Sequence, residues 1–275
     1  MQAHGKLGRL KALLEEYGSV AVAFSGGVDS TFLLKAAHDV LGDRCIALTV
    51  RSCIFPKREL SEATAFCRGE GVRQVVADVD ELAVDGFADN PPDRCYICKR
   101  RLFGGMLQSA AAEGVAVVCE GSNVDDLGDY RPGLRAVSEL GIQSPLRICG
   151  LTKGEIRALS AEMGLPTFDK PSFACLASRF PYGQKITAEK LGMVESAEDF
   201  LQDAGFRQAR VRIHGDVARI EVEPDSLVSA LGMRERIVSR LKGLGFAYVA
   251  LDLQGYRTGS LNEPIIVARQ GVALV

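Results

Sequence analysis

The amino-acid sequence predicts an α/β protein, in which a parallel sheet with helices on both faces is followed by a smaller α+β domain. Two patterns predict it. Over residues 1–185, short β-rich apolar runs alternate with amphipathic stretches, the rhythm of strands joined by helical crossovers. Over residues 186–275, the order changes to helix, two strands, helix, strand. No internal repeat or low-complexity tract interrupts either part.

In the first part the strand candidates are Val20 to Phe24, Cys45 to Val50, Gln74 to Asp78 and Ala116 to Cys119, with a helical stretch from Thr31 to Leu41 after the first. Thr152-Lys153-Gly154-Glu155 has the spacing of a capping box, opening a helix that carries Ile156, Leu159 and Met163 until Gly164 and Pro166 stop it. In the second part Leu191, Val194, Leu201 and Ala204 mark one face of a helix. A two-residue turn at Gly215-Asp216 sets a hairpin register. Ile213 then faces Ala218, Val211 faces Ile220 and Ala209 faces Val222, all apolar. On the opposite face Arg212 meets Arg219, Arg210 meets Glu221 and Gln208 meets Glu223. Such a face is either a solvated surface with cross-strand ion pairs or an anion and metal site.

Composition bounds the function. The chain has 275 residues, 47% of them hydrophobic, enough for one large core or two smaller ones, and a formal net charge of -2. That balance does not mark nucleic acid as a partner. No apolar run approaches the roughly 20 residues of a membrane span, and the N-terminus does not read as a secretory signal, so a cytoplasmic location is expected and no membrane partner. There the eight cysteines are expected as thiols rather than disulfides.

The most informative segment is Ser25-Gly26-Gly27-Val28-Asp29-Ser30, between the first apolar strand and a helix. Glycines let backbone N–H groups approach an anion, the helix N-terminus adds its dipole, and Ser25 and Ser30 add hydroxyls. The Gly-Lys-Ser/Thr ending of a P-loop is missing, which disfavours ordinary γ-phosphate transfer. Ser-Gly-Gly-x-Asp-Ser resembles the signature of the PP-loop ATP pyrophosphatases. The resemblance implies ATP and Mg2+ as cofactors, with the loop holding pyrophosphate while a substrate oxygen attacks the α-phosphorus. Glu120 to Asp126, including Gly121, Asp125 and Asp126 and followed by Asp129, resembles that family's second nucleotide-side segment. Its aspartates either hold magnesium or cap the next helix. By resemblance alone, Arg51 and Ser52 are expected near the adenine.

Cys95-Tyr96-Ile97-Cys98 and Cys175 are the candidate working thiols. A Cys-x-x-Cys by itself also suits zinc or a redox pair. Cys45 and Cys119 in apolar strands, Cys67 in a helical stretch, and Cys53 and Cys149 without a partner at ligand spacing are expected to be inert and buried.

Asp93-Arg-Cys-Tyr, Ser122-Asn-Val-Asp-Asp, Arg131-Pro-Gly, Ala174-Cys-Leu-Ala-Ser-Arg, Arg210-Val-Arg212 and Gly255-Tyr-Arg257 all resemble landmarks of the LarE family of ATP-dependent sulfur transferases. The resemblance spans almost the whole chain. It implies adenylation of a pyridinium-3,5-biscarboxylate mononucleotide and conversion of its carboxylates to thiocarboxylates, for the nickel-pincer nucleotide of lactate racemase. It also implies Arg210, Arg212, Ser178 and Arg179 near the substrate phosphate, Glu221 and Glu223 near a divalent metal, and a homo-oligomer such as a hexamer. Two sulfur strategies exist there: a sacrificial cysteine matching Cys175, which becomes dehydroalanine, and three cysteines around a 4Fe-4S cluster. Cys95 and Cys98 beside Cys175 favour the cluster. A tRNA thiolase, an ammonia-using ligase and a non-catalytic nucleotide-binding module are the rival functions.

Overall fold

A computed structural model describes residues 2–128, 132–257 and 259–262. By internal contacts the chain falls into two units, Met1–Phe87 with Asp93–Phe173, and Ala88–Pro92 with Ala174–Val275. Among the described residues no helix is long and apolar enough to cross a membrane.

In the first unit the order is α1 (Gln2–Tyr17), β1 (Val20–Ala23), α2 (Val28–Leu41), β2 (Cys45–Arg51), α3 (Lys57–Glu70), β3 (Arg73–Asp78), α4 (Arg94–Ala112), β4 (Val117–Cys119), α5 (Gly133–Glu139), α6 (Pro145–Ile148) and α7 (Lys153–Glu162). The strands form a parallel sheet in the order β3-β2-β1-β4, so the four expected strands and their orientation are present. Strand alternation divides the core between the two faces. Val20, Val22, Cys45 and Ala47 pack with Leu10 and Leu14 of α1, Phe32 and Leu33 of α2, and Ile156 and Leu159 of α7. Ala21, Ile46 and Leu48 point the other way, onto Phe103 and Met106 of α4 and Val137 of α5.

The strand order matters for function. The chain leaves β1 toward β2 and β3, then returns to the other side of β1 for β4. Loops at the carboxyl ends of β1 and β4 therefore diverge around a crevice, the topological switch point where open α/β sheets bind ligands. One sequence expectation is corrected here and another holds. The helix after β1 begins at Val28 rather than Thr31, so Val28, Asp29 and Ser30 form its first turn. The α7 capping box is present, with Thr152 accepting from the Glu155 N–H and Glu155 from the Thr152 N–H.

The second unit contains α8 (Ala188–Asp203), β5 (Ala209–His214), β6 (Val217–Val222), α9 (Leu227–Gly232), α10 (Arg234–Gly243) and β7 (Tyr248–Leu251). Two helices, not one, precede the last strand. The hairpin register is the expected one: Ile213 faces Ala218, Val211 faces Ile220, Ala209 faces Val222, Arg212 faces Arg219 and Arg210 faces Glu221. Gly215 supplies the left-handed residue of the turn, with φ 62. The Gln208–Glu223 pair falls beyond the strand ends, and Glu223 is exposed.

Past β7, Gly255 sits at φ 69, and a Cβ there would lie 2.7 Å from the Val222 carbonyl oxygen. This close approach lets the Tyr256 N–H donate to Val222 O at 2.7 Å. Gly255→Ala is expected to destabilise the protein by about 2 kcal/mol or more, lowering Tm by about 4–8 °C in a melting experiment. An unchanged Tm would contradict the close approach.

Candidate functional site

The loop after β1 is built for an anion. Gly26 takes φ 73, and a Cβ on it would come within 3.2 Å of the Ala63 Cβ, so glycine is required there by both space and conformation. Ser25 and Ser30 hydroxyls are 3.1 Å apart, and Ser30 Oγ donates to Gly27 O at 3.2 Å. The first backbone amide of α2 with an acceptor outside the helix is that of Thr31, donating to Gly27 O. Among the described residues the N–H groups of Gly26, Gly27, Val28, Asp29 and Ser30 have no acceptor. They are the donor set that a helix start offers an anion.

The loop after β4 closes against this helix start. A Cβ on Gly121 would stand 3.1 Å from the Ser30 nitrogen. Asn123 Nδ2 donates to Asp29 Oδ1 at 3.2 Å, so the two switch-point loops meet at Asp29. Asp125 accepts from the backbone N–H of Lys153 at 2.7 Å, and Asp126 accepts from the Asn123 N–H at 2.9 Å. Asp125 thus caps the start of α7, while Asp29, its side chain 24% exposed, has one oxygen on Asn123 and the other on Lys153. Asp129 and Arg131 lie outside the described residues.

Two lysines flank the loop, and sequence reasoning missed both. Lys153 Nζ sits 2.5 Å from Asp29 Oδ2. Lys170 Nζ donates to Gly26 O at 3.1 Å, Glu59 at 2.8 Å and Glu62 at 2.7 Å. They stand 124 and 144 residues from their loop partners, with no motif spacing to announce them. The one local signal was the capping box, which fixes Lys153 at the first position of α7.

At the carboxyl ends of β2 and β3 lies a cavity of about 670 Å³, lined by Val50, Arg51, Ser52, Cys53, Phe55, Lys57, Leu60, Asp78, Val79 and Asp80. Arg51 and Ser52, singled out for adenine, are thus in its wall. Arg51 forks onto Asp78 at 2.5 and 2.7 Å, an exposed pair that contributes little stability. Ser52 Oγ donates to Glu81, whose fully buried carboxyl is pushed above its ordinary pKa by desolvation. Cys53 is exposed at this cavity, which corrects the expectation that it is buried; it follows the strand end instead of lying within a strand. Cys45, Cys67, Cys119 and Cys149 are buried as expected, and burial pushes the Cys45 and Cys67 thiols up to about 12.

In the second unit the charged hairpin face is buried rather than solvated: Arg210 is 2% exposed, Arg212 7% and Glu221 1%. Arg212 forks onto Glu221 at 3.1 and 2.9 Å and donates to Ser178 O at 2.7 Å, while Arg219 shares the same Glu221 at 2.8 Å. Both Glu221 oxygens are therefore taken by guanidinium groups, and Glu223 is exposed beyond the strand, a donor set unsuited to a divalent cation. Arg179, with no exposed side-chain surface, forks onto Glu198 at 2.8 and 2.7 Å. Its Nη1 donates to the Ala174 and Cys175 carbonyls and to Ser178 Oγ. Arg210 has its pKa lowered to about 10 by burial and then by the neighbouring Arg179 charge.

No family model matches the chain. The relatives are more informative. A pyridinium-3,5-bisthiocarboxylic acid mononucleotide synthase of Lactiplantibacillus plantarum is 38% identical over 265 residues, covering 96% of both chains. The chain belongs to the LarE-like family of PP-loop enzymes. An uncharacterized protein of Synechocystis is 42% identical over 261 residues, 94% of this chain and 97% of that one. A glutamine-hydrolyzing GMP synthase of Phaeosphaeria nodorum is 29% identical over 193 residues, 58% of this chain and 34% of its own. An enzymatic, ATP-using role accompanies membership.

For a LarE-like protein the thiols are the remaining question. Cys95 and Cys98 lie one turn apart at the start of α4, Cys95 half-buried and Cys98 buried. Beside them Arg135 stacks on the Tyr96 ring at 3.7 Å, and Tyr96 donates to Glu139. Cys175, half-buried, precedes a short turn of helix over Leu176–Arg179. Among the described residues no group of three or more His, Cys, Asp or Glu side chains is gathered to hold a metal ion.

Proposed function

We propose that this protein adenylates the carboxylates of a pyridinium-3,5-biscarboxylate mononucleotide, releasing pyrophosphate, and that sulfur then replaces the activated oxygen. The observation that carries the reading is the run of acceptor-free amides from Gly26 to Ser30 at the head of α2, without a lysine inside the loop. A carboxylate oxygen is a poor leaving group, but as part of an acyl adenylate it departs with AMP. Asp29 is the proposed holder of Mg2+, in exchange for its present partners Asn123 and Lys153, and the ion would supply charge neutralisation for the phosphate chain. The apolar walls of the cavity, Val50, Phe55, Leu60 and Val79, suit the base of ATP. The test is release of pyrophosphate from ATP by the purified protein, with and without the mononucleotide. Release that does not depend on the mononucleotide would refute the substrate.

The substrate phosphate is proposed at Arg210 and Arg212, with Ser178 and Arg179 framing it, in a second domain that also serves self-association. The support is electrostatic: Arg179, Arg210 and Arg212 are buried together with Glu221, beside the half-buried Glu198, and burial disfavours the charged form of Arg210. An anion would restore balance there. Replacing Arg210 and Arg212 by glutamine is expected to weaken mononucleotide binding by about 100-fold, the size of losing charge-assisted hydrogen bonds worth about 1.5–3 kcal/mol, while ATP binding stays unchanged. If ATP binding fell instead, the site would be misplaced.

For sulfur delivery we propose Cys175, with Cys95 and Cys98 completing a three-thiolate set for a 4Fe-4S cluster. The donor chemistry suits that cluster, which would supply sulfide when bound. Among the described residues no three such side chains are gathered. Loss of the Cys175 sulfur itself, leaving dehydroalanine, is the second reading.

A further inference from the structure

Among the described residues Asn90 alone, glycines aside, takes a positive φ, 56, and its side chain is fully buried. Its Nδ2 donates to the carbonyls of Phe180 at 3.3 Å and Pro181 at 2.7 Å. Two backbone bonds join the same stretches: the Gly183 N–H donates to Asn90 O at 2.9 Å, and the Ile186 N–H to Ala88 O at 2.8 Å. Together they stitch Ala88–Pro92 to the chain that follows Cys175. By internal contacts Ala88–Pro92 accordingly belongs to the second unit, although the residues before and after it belong to the first.

The stitch bears on the thiols. The turn Leu176–Arg179 lies between Cys175 and the stitched carbonyls. Arg179 ties this turn to Glu198 and to the Cys175 carbonyl, and Asn90 ties down the two residues that leave it. Cys175 stands five residues before Phe180, and Cys95 five residues after Asn90, at the start of α4. Chain length alone keeps each cysteine within roughly 18 Å of its own end of the stitch.

We propose that Asn90 is a positioning residue for sulfur transfer, which fixes the Cys175 turn and ties to it the chain entering the Cys95–Cys98 helix. It rests on the reading that Cys175 works in sulfur transfer. Asparagine suits the task twice over. It enters the left-handed region more readily than other side chains, and its amide has two N–H donors, one for each carbonyl. A buried carbonyl stripped of its donor is costly, so without the amide this stretch takes another path. The amides from Gly26 to Ser30 lie in the other unit, so activation by ATP does not draw on the stitch.

The experiment measures pyrophosphate and thiocarboxylate side by side, from ATP and the mononucleotide, for wild type, Asn90→Gly and Asn90→Asp. Asn90→Gly leaves the backbone free to keep its φ but removes both donors. Asn90→Asp keeps the shape and puts in their place a group that, ionised, only accepts. Both are expected to release pyrophosphate at the wild-type rate, while thiocarboxylate formed per pyrophosphate falls about 100-fold, the size of a roughly 1 Å misplacement of reacting groups. Alkylation of Cys175 by iodoacetamide, followed by mass spectrometry, is expected to speed up in both variants as the half-buried thiol is released. That measurement needs no turnover. Should one variant not fold, the other is read, and if neither folds Asn90 serves the fold and the proposal fails. An unchanged ratio of products with unchanged alkylation overturns it, and so does a parallel fall of both products. Cys175→Ala judges the underlying reading separately. Thiocarboxylate formed by Cys175→Ala removes that reading, whereas its loss there beside a wild-type ratio in Asn90→Gly removes only the positioning role.

Discussion

Asp29→Ala is expected to abolish substrate-dependent pyrophosphate release, lowering kcat by at least about 100-fold while the fold stays intact. The carboxylate joins three things: the head of α2, the β4 loop through Asn123, and the ammonium of Lys153. Removing it takes away the proposed magnesium ligand and frees Lys153 from its tether. Stability is spared because Asp29 and Lys153 are both partly exposed, at 24% and 28%, so water replaces what each loses. Pyrophosphate release is measured beside a melting curve. Full release by a folded variant would remove the PP-loop step from the mechanism.

Cys175→Ala is expected to lose sulfur transfer completely and keep pyrophosphate release. The two activities separate because activation needs only an oxygen nucleophile and ATP, whereas both sulfur strategies draw on this thiol. Its setting is rigid. The Cys175 carbonyl accepts from Arg179, which is clamped by Glu198, and Glu198 also accepts from the Val211 N–H at 2.8 Å. Glu198 is held ionised, its pKa lowered by the Arg179 charge against the opposing effect of burial. The companion variant is Cys95→Ala, assayed after anaerobic purification for iron, acid-labile sulfide and thiocarboxylate product. Loss of iron and product together supports the three-thiolate proposal. Full product from Cys95→Ala, with dehydroalanine at position 175 by mass spectrometry of wild type, replaces it with the sacrificial route. Thiocarboxylate formed by Cys175→Ala would exclude both.

Much of the fold was legible because the signals were local. The continuous apolar run Val20, Ala21 and Val22, buried throughout, the Thr152–Glu155 box and the Gly215-Asp216 turn each depend on neighbours within a few residues. The motif Ser25–Ser30 announced itself for the same reason, since a strand, a glycine loop and a helix start are contiguous. Lys153 and Lys170 were not legible, because their place depends on how distant segments pack, and a lone lysine reads as surface whether it opens a helix or lies in a loop. The charged hairpin face was ambiguous for a related reason. Register fixes which side chains share a face, but the burial of Arg210, Arg212 and Glu221 is set by segments elsewhere in the chain, including Ser178, which accepts from Arg212 through its carbonyl. Cys53 was misjudged because a cysteine two residues past a strand reads the same whether the chain turns inward or onto a cavity rim.

The long reach of Lys170 and Lys153 has a consequence for the order of events during synthesis. The motif emerges from the ribosome early, yet its flanking charges come from residues 124 and 144 positions later. At about 5–20 residues per second, the Ser25–Ser30 segment exists for many seconds as a loop without either lysine. A nascent chain can therefore carry the full signature of the nucleotide site before that site is assembled. The β1–α2 start and the α7 start are joined by contacts of high sequence separation, whose loop-closure entropy must be met late, so the nucleotide site is among the last parts of its sheet to mature.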